Sequence, residues 1–223
     1  MRYLITAILL MALNVGCPAQ ESSDLSTEVK SLLVEAQGGD TEAQLRVATA
    51  YDWGQGAPRS GSEATKWYTL AAQGGSAEAQ NSLGSIFQAD GHFSDALKWY
   101  RLAAKQEHAL AINNLADLYN LGHGVAQDRA RALELFTLSA ELGWDEAMWN
   151  IANMYGAGHI GGEKNFLMAC VWASRAIMYP VPGNAVSHRA EPALAFLESK
   201  LSRKERIECQ HMSKAWKPHK PAV

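Results

Sequence analysis

The chain has 223 residues, 48% of them hydrophobic and 19% charged, a globular composition with room for one sizeable core or a short array of repeats. Its formal net charge of −3 excludes the strong overall basic field of a nucleic-acid binder. Eighteen glycines are too few for a collagen-like or low-complexity chain.

The first residues have a separate task. Arg2 precedes an apolar run, 3–13, and then small residues, the layout of a secretory signal. The run is shorter than the roughly 20 residues that span a bilayer. Where the signal ends stays open. Asn14-Val15-Gly16-Cys17 is similar to a bacterial lipobox, which would make 1–16 the signal and lipidate Cys17, although that pattern prefers Leu where Asn14 stands. Ordinary cleavage after Ala19 is the alternative, with 1–19 removed. Both readings predict an exported chain, either periplasmic or an outer-membrane lipoprotein, alternatively secreted. Membrane contact is then expected only through an N-terminal lipid.

Residues 24–38 read as an N-terminal capping helix with Leu32 and Leu33 available to cover the first repeat unit. An internal repeat then begins. One alanine recurs as Ala43, Ala79, Ala111 and Ala147, at steps of 36, 32 and 36. Behind it come Val47, Leu83, Leu115 and Ile151, then Ala48, Gly84, Ala116 and Ala152, then Tyr51, Phe87, Tyr119 and Tyr155. Offsets of 0, 4, 5 and 8 put each set on one helical stripe. A second stripe comes after it. Ala64, Trp67, Tyr68, Ala71 and Ala72 match Ala96, Trp99, Tyr100, Ala103 and Ala104, and later Ala132, Leu135, Phe136, Ser139 and Ala140. The match in the fourth unit is looser, and Arg175 stands there where the others have a small residue.

The pattern predicts four antiparallel helix pairs over 40–178, with units at about 40–75, 76–107, 108–143 and 144–178. Gly39, Gly75 and Gly143 read as stops between units. Asp40 and Ser76 can cap the helix beginning after each, whereas His108 and Trp144 at the same place make capping non-uniform. The short step lies in the turn: 13 residues separate the aromatic from the next helix in units one, three and four, but 9 in unit two. Turns absorb such changes without disturbing packing.

Pro180 and Pro182 end the pattern, and two closing helices are expected within 185–217, at 191–201 and 202–216. Ser202 and Glu205 have capping-box spacing. Beyond Cys17 the chain has Cys170 and Cys209. An oxidising compartment would allow a disulfide between them. Two buried free thiols are the default, because spacing alone does not bring sulfurs together.

Leu115-Ala116, Tyr119, Gly122-His123-Gly124-Val125, Asp128, Ala132-Leu133 and Phe136 resemble a Sel1-like repeat. Unit two, with Leu83-Gly84, Phe87, Gly91, Phe93 and Ala96, resembles a tetratricopeptide repeat instead. The resemblance covers about residues 30–178. It implies an all-α fold, a right-handed α-solenoid of antiparallel helix pairs with helical caps. It also implies that the first helix of each pair lines a concave surface. Carried over unit by unit, the residues facing it are Leu45, Arg46 and Thr49; Asn81, Ser82 and Ser85; Asn113, Asn114 and Asp117; and Trp149, Asn150 and Asn153. The amides of Asn114 and Asn150 are expected to bond a peptide backbone, and Trp149 to anchor it.

The functional expectation is a scaffold for a protein or peptide partner in the cell envelope, with no nucleic acid, no cofactor and no catalysis. Related members include periplasmic signalling regulators and secreted host-interaction factors, which form the alternative. Some cysteine-rich members are associated with β-lactam binding and hydrolysis. Their cysteine pair within each repeat is absent here, which leaves a β-lactam enzyme as the last of the three. The catalytic motifs are absent too. No His-Glu-x-x-His, Gly-x-Ser-x-Gly, Ser-x-x-Lys or Cys-x-x-Cys occurs. Gly156-Ala157-Gly158-His159-Ile160-Gly161 has dinucleotide-loop spacing but comes after a helix pattern, not a strand, and reads as the repeat's own turn. His123 and His159 occupy equivalent turn positions too far apart to share a metal, and read as solvated loop residues.

Overall fold

The recurring alanines mark where helices come closest, and each of the four is at most 3% exposed. In the computed structural model, which describes residues 25–219, eleven α-helices and no strand are found among the described residues. Four hairpins make up the array. These are α2 (Thr41–Trp53) with α3 (Gly61–Gln73), α4 (Ala77–Ala89) with α5 (Phe93–Ala104), α6 (Ala109–Leu121) with α7 (Arg129–Glu141), and α8 (Asp145–Ala157) with α9 (Phe166–Met178). Each helix also packs on the next in the chain, so the hairpins stack as a solenoid. Ahead of them α1 (Thr27–Gln37) packs on α2. Behind them α10 (Val186–Ser199) and α11 (Arg203–Ala215) both pack on α9. The predicted signal segments, 1–16 or 1–19, and Cys17 lie outside the described residues.

Local signals explain the boundaries. Ser26, Asp40, Ser60, Ser76, Asp128, Asn165 and Ser202 each accept a hydrogen bond from a backbone N–H of the first turn, satisfying a donor that has no partner inside the helix. His108 does the same through Nδ1, which accepts from Ala111 N at 3.2 Å. Capping is non-uniform in kind, since an imidazole nitrogen stands here where the earlier units use a side-chain oxygen. Trp144 makes no such bond. Gly124, with φ of 70°, lies against the start of α5 so closely that a Cβ there would meet the Phe93 Cβ at 2.7 Å. Gly56 meets Ser26 at 2.6 Å in the same manner. Hence α1 stands to the first hairpin as α5 stands to the third.

The closing end is fastened several times. Cys170 and Cys209 are disulfide-bonded across 39 residues, against the sequence default of free thiols. Packing α11 onto α9 supplies a proximity that spacing could not reveal. The buried Asp145 accepts from Val181 N at 3.0 Å and from Asn184 Nδ2. This fixes the proline-containing loop, and α10 then starts at Val186 rather than at 191. Val186 and Ala190 are fully buried, and that burial outweighs the donor missing at Pro192 inside the helix. Arg175, the misfit of unit four, lies over Trp172 at 4.5 Å and Trp216 at 4.9 Å and donates to the Met212 carbonyl. A large residue is tolerated there because α11 builds a slot for it.

Candidate functional site

The first helices of the hairpins, α2, α4, α6 and α8, form one wall, and their polar positions bond to one another. Asn114 Nδ2 donates to Asn81 Oδ1 at 3.1 Å, linking α6 to α4. Asn150 Nδ2 donates to Asn113 Oδ1 at 3.1 Å, linking α8 to α6. These two amides were expected to be open to a peptide. Each commits one of its two donors to its neighbour, because positions offset by one residue on stacked helices come within hydrogen-bond reach. The chain α8–α6–α4 ends at α2, where the equivalent residue is the apolar Leu45.

A second periodic feature reaches the wall from behind. The Tyr100 hydroxyl lies 3.2 Å from Ser85 Oγ and donates to Gln88 Oε1 at 2.9 Å, with Asn114 beside it. One unit earlier the Tyr68 hydroxyl meets Thr49, Asp52 and Ser82, the residues at the same three positions. Burial foremost pushes both phenols above their ordinary pKa.

Unit three has Phe136 at this position. Its would-be partners are Asp117, Asn120 and Asn150, and Asn120 Oδ1 is buried with no hydrogen-bond partner among the described residues. Among the described residues Asp117 has only Asn113 Nδ2 as a hydrogen-bond donor, at 3.5 Å. Burial, aided by the charge of Glu146, pushes its carboxyl up to about 7. The oxygen that Phe136 lacks accounts for the unpaired Asn120 Oδ1.

The predicted residues do not form one site. Leu45 and Arg46 border a cleft of about 580 Å³ between α1 and α2, where Arg46 pairs with Glu28 at 2.7 Å. Asn81 borders a second cleft of about 660 Å³, which also holds Trp53, Tyr68 and Trp144. Thr49 and Glu78 line both, so the two clefts make one trough. Trp149 and Asn153 border a separate apolar hollow of about 350 Å³, closed by Phe166 and by Phe196 of α10. Asn113, Asn114, Asp117 and Asn150 belong to the bonded stretch between. Sequence reasoning missed Trp53 and Phe196, which are 71% and 56% exposed. A signal existed for Trp53, a tryptophan off its helix's alanine stripe. None existed for Phe196, since a capping helix carries no repeat register.

The scan for family models finds Sel1 repeats at residues 41–76, 77–108, 109–144 and 145–178. The chain belongs to the Sel1 repeat family. Among solved structures, a protective antigen present in uropathogenic Escherichia coli strains, displaying an SLR fold, is 26% identical with a TM-score of 0.76. That likeness covers 84% of this chain and 40% of the antigen, so the chain spans two fifths of that protein's length. A Sel1 repeat protein from Oxalobacter formigenes is 26% identical with a TM-score of 0.64, covering 83% of this chain and 77% of that one. No functionally curated protein is similar enough to match.

Sel1 repeats generally mediate protein–protein interaction, and the fold is typically non-enzymatic. The remaining chemistry-bearing residues of this Sel1 array have structural roles in view. His123 stacks on Phe93 at 4.5 Å, so it is not simply a solvated loop residue. Gly158 of the glycine-rich run closes α8 in the left-handed conformation. Among the described residues no cluster of three His, Cys, Asp or Glu is placed to hold a metal. No described helix is long and apolar enough to cross a membrane.

Proposed function

We propose that this Sel1 protein is an exported docking scaffold that holds a protein or peptide partner along the wall of α2, α4, α6 and α8 in the bacterial cell envelope. One observation carries the docking reading. The wall carries an open trough with an exposed tryptophan, Trp53, at its edge, and such aromatic anchors dominate binding energy. Two features support export. The signal-like segment 1–19 precedes the array, and the Cys170–Cys209 bond suits an oxidising compartment. Cleavage after Ala19 and lipidation at Cys17 would both export the array.

A photo-crosslinking amino acid at position 53 or 149, incorporated in the producing cell, is expected to trap a discrete partner. Adducts arising only from a control position on the opposite row, such as 134, would refute docking on this wall. Sequencing the mature N-terminus tests export: a chain still beginning at Met1 in a spheroplast fraction would sink it. Likeness to a protective antigen favours a second reading, a secreted host-interaction factor, which predicts the mature chain in the culture medium.

A further inference from the structure

Charge divides between the two rows of helices. Helices α2, α4, α6 and α8 carry six acidic residues and a single basic one, Arg46. Helices α3, α5, α7 and α9 carry four acidic and six basic. The formal net charge of the whole chain, −3, hides this separation.

The acidity concentrates at the trough. Its lining includes Glu28, Glu42, Asp52 and Glu78, while its one cation, Arg46, is already paired with Glu28. Glu42 and Glu78 make no ion pair among the described residues. Beside the acids stand Trp53 and Trp144. An open channel lined by carboxylates, two of them without an ion pair, with aromatic faces at its side, offers counter-charge and apolar contact together.

Resting on the docking reading above, we propose that the trough takes a basic, extended peptide segment. Its lysine or arginine side chains face Glu42, Asp52 and Glu78, and an apolar side chain is seated at Trp53 and Trp144. An acidic or neutral partner would leave those carboxylates facing no counter-ion, which selects against it.

The test is selection of a random peptide library on phage against the immobilised protein, with fluorescence anisotropy of an enriched peptide as the second step. Enriched sequences are expected to carry an excess of Lys and Arg next to an aromatic or aliphatic residue. The pair Asp52→Asn with Glu78→Gln is expected to weaken the peptide about tenfold, and raising salt from about 0.05 to about 0.5 M to weaken it by a similar factor. Glu134→Gln on the opposite row is expected to leave binding unchanged. Enrichment of neutral or acidic peptides that are displaced by Trp53→Ala would overturn the charge inference while docking stands. A library that yields no binder would overturn docking and the charge inference together.

Discussion

Replacing Asp117 by asparagine is expected to stabilise the folded chain in neutral and alkaline solution and to do almost nothing in acid. The folded carboxyl titrates at about 7 against an ordinary 3.8. Between these values the folded chain keeps a proton that the unfolded chain has released, so stability falls as pH rises. Each unit of difference corresponds to about 1.4 kcal/mol. Three units set a ceiling of about 4 kcal/mol, which partial solvent exposure of Asp117 reduces to about 2 kcal/mol.

His108 works the other way. Burial lowers its pKa, so it removes stability as pH falls through the imidazole range. Comparing the variant with the parent at each pH cancels that contribution. Urea unfolding from about pH 4 to about pH 8 is the assay, and at typical slopes the midpoint difference should grow from near zero to about 1 M. Phe136→Tyr is the companion. It restores the hydroxyl present at Tyr68 and Tyr100, gives Asn120 Oδ1 a donor, and is expected to stabilise by about 1 kcal/mol. A midpoint difference for Asp117→Asn that stays constant across the pH range would show that the carboxyl is not desolvated, and the burial account of its pKa would fall.

The disulfide closes a loop of about 40 residues, for which chain entropy gives roughly 4 kcal/mol. Cys170→Ser with Cys209→Ser should therefore lower unfolding stability by about 2–4 kcal/mol, and reductant should reproduce the loss in the parent but not in the variant. Gly124 combines positive φ with a 2.7 Å approach to Phe93, whereas Gly161 has positive φ and open space. Alanine is expected to cost about 1 kcal/mol at 161 and at least about 2 kcal/mol at 124, read as midpoints in the same urea series. Equal losses would mean that the turn does not pack on α5 as described.

Much of the fold was legible because a stacked hairpin repeats its buried positions. Alanines at intervals of 36, 32 and 36 encode the same close approach four times, and one irregular turn does not erase that signal. The closing helices were legible as helices but not in extent. A capping box marks α11, while α10 begins early because Val186 finds a buried place, a fact belonging to the partner surface. The candidate site was read less well. Fold analogy placed Asn114 and Asn150 on the row of α2, α4, α6 and α8, but whether their amides face a ligand or a neighbouring helix depends on distances between units.

By itself the sequence determined the repeat and the positions of the repeat helices, since periodicity and capping act over a few residues, while the wall on which polar side chains gather came from the family resemblance. Tertiary structure alone decided which of those side chains remain open. Stacking joins the asparagines in a row and leaves Asp117 and Asn120 without the hydroxyl that Phe136 lacks. It also brings Cys170 to Cys209 and merges two clefts into an acidic trough. Each of these rests on contacts between residues half a repeat to a full repeat apart, and local pattern holds no record of such distances.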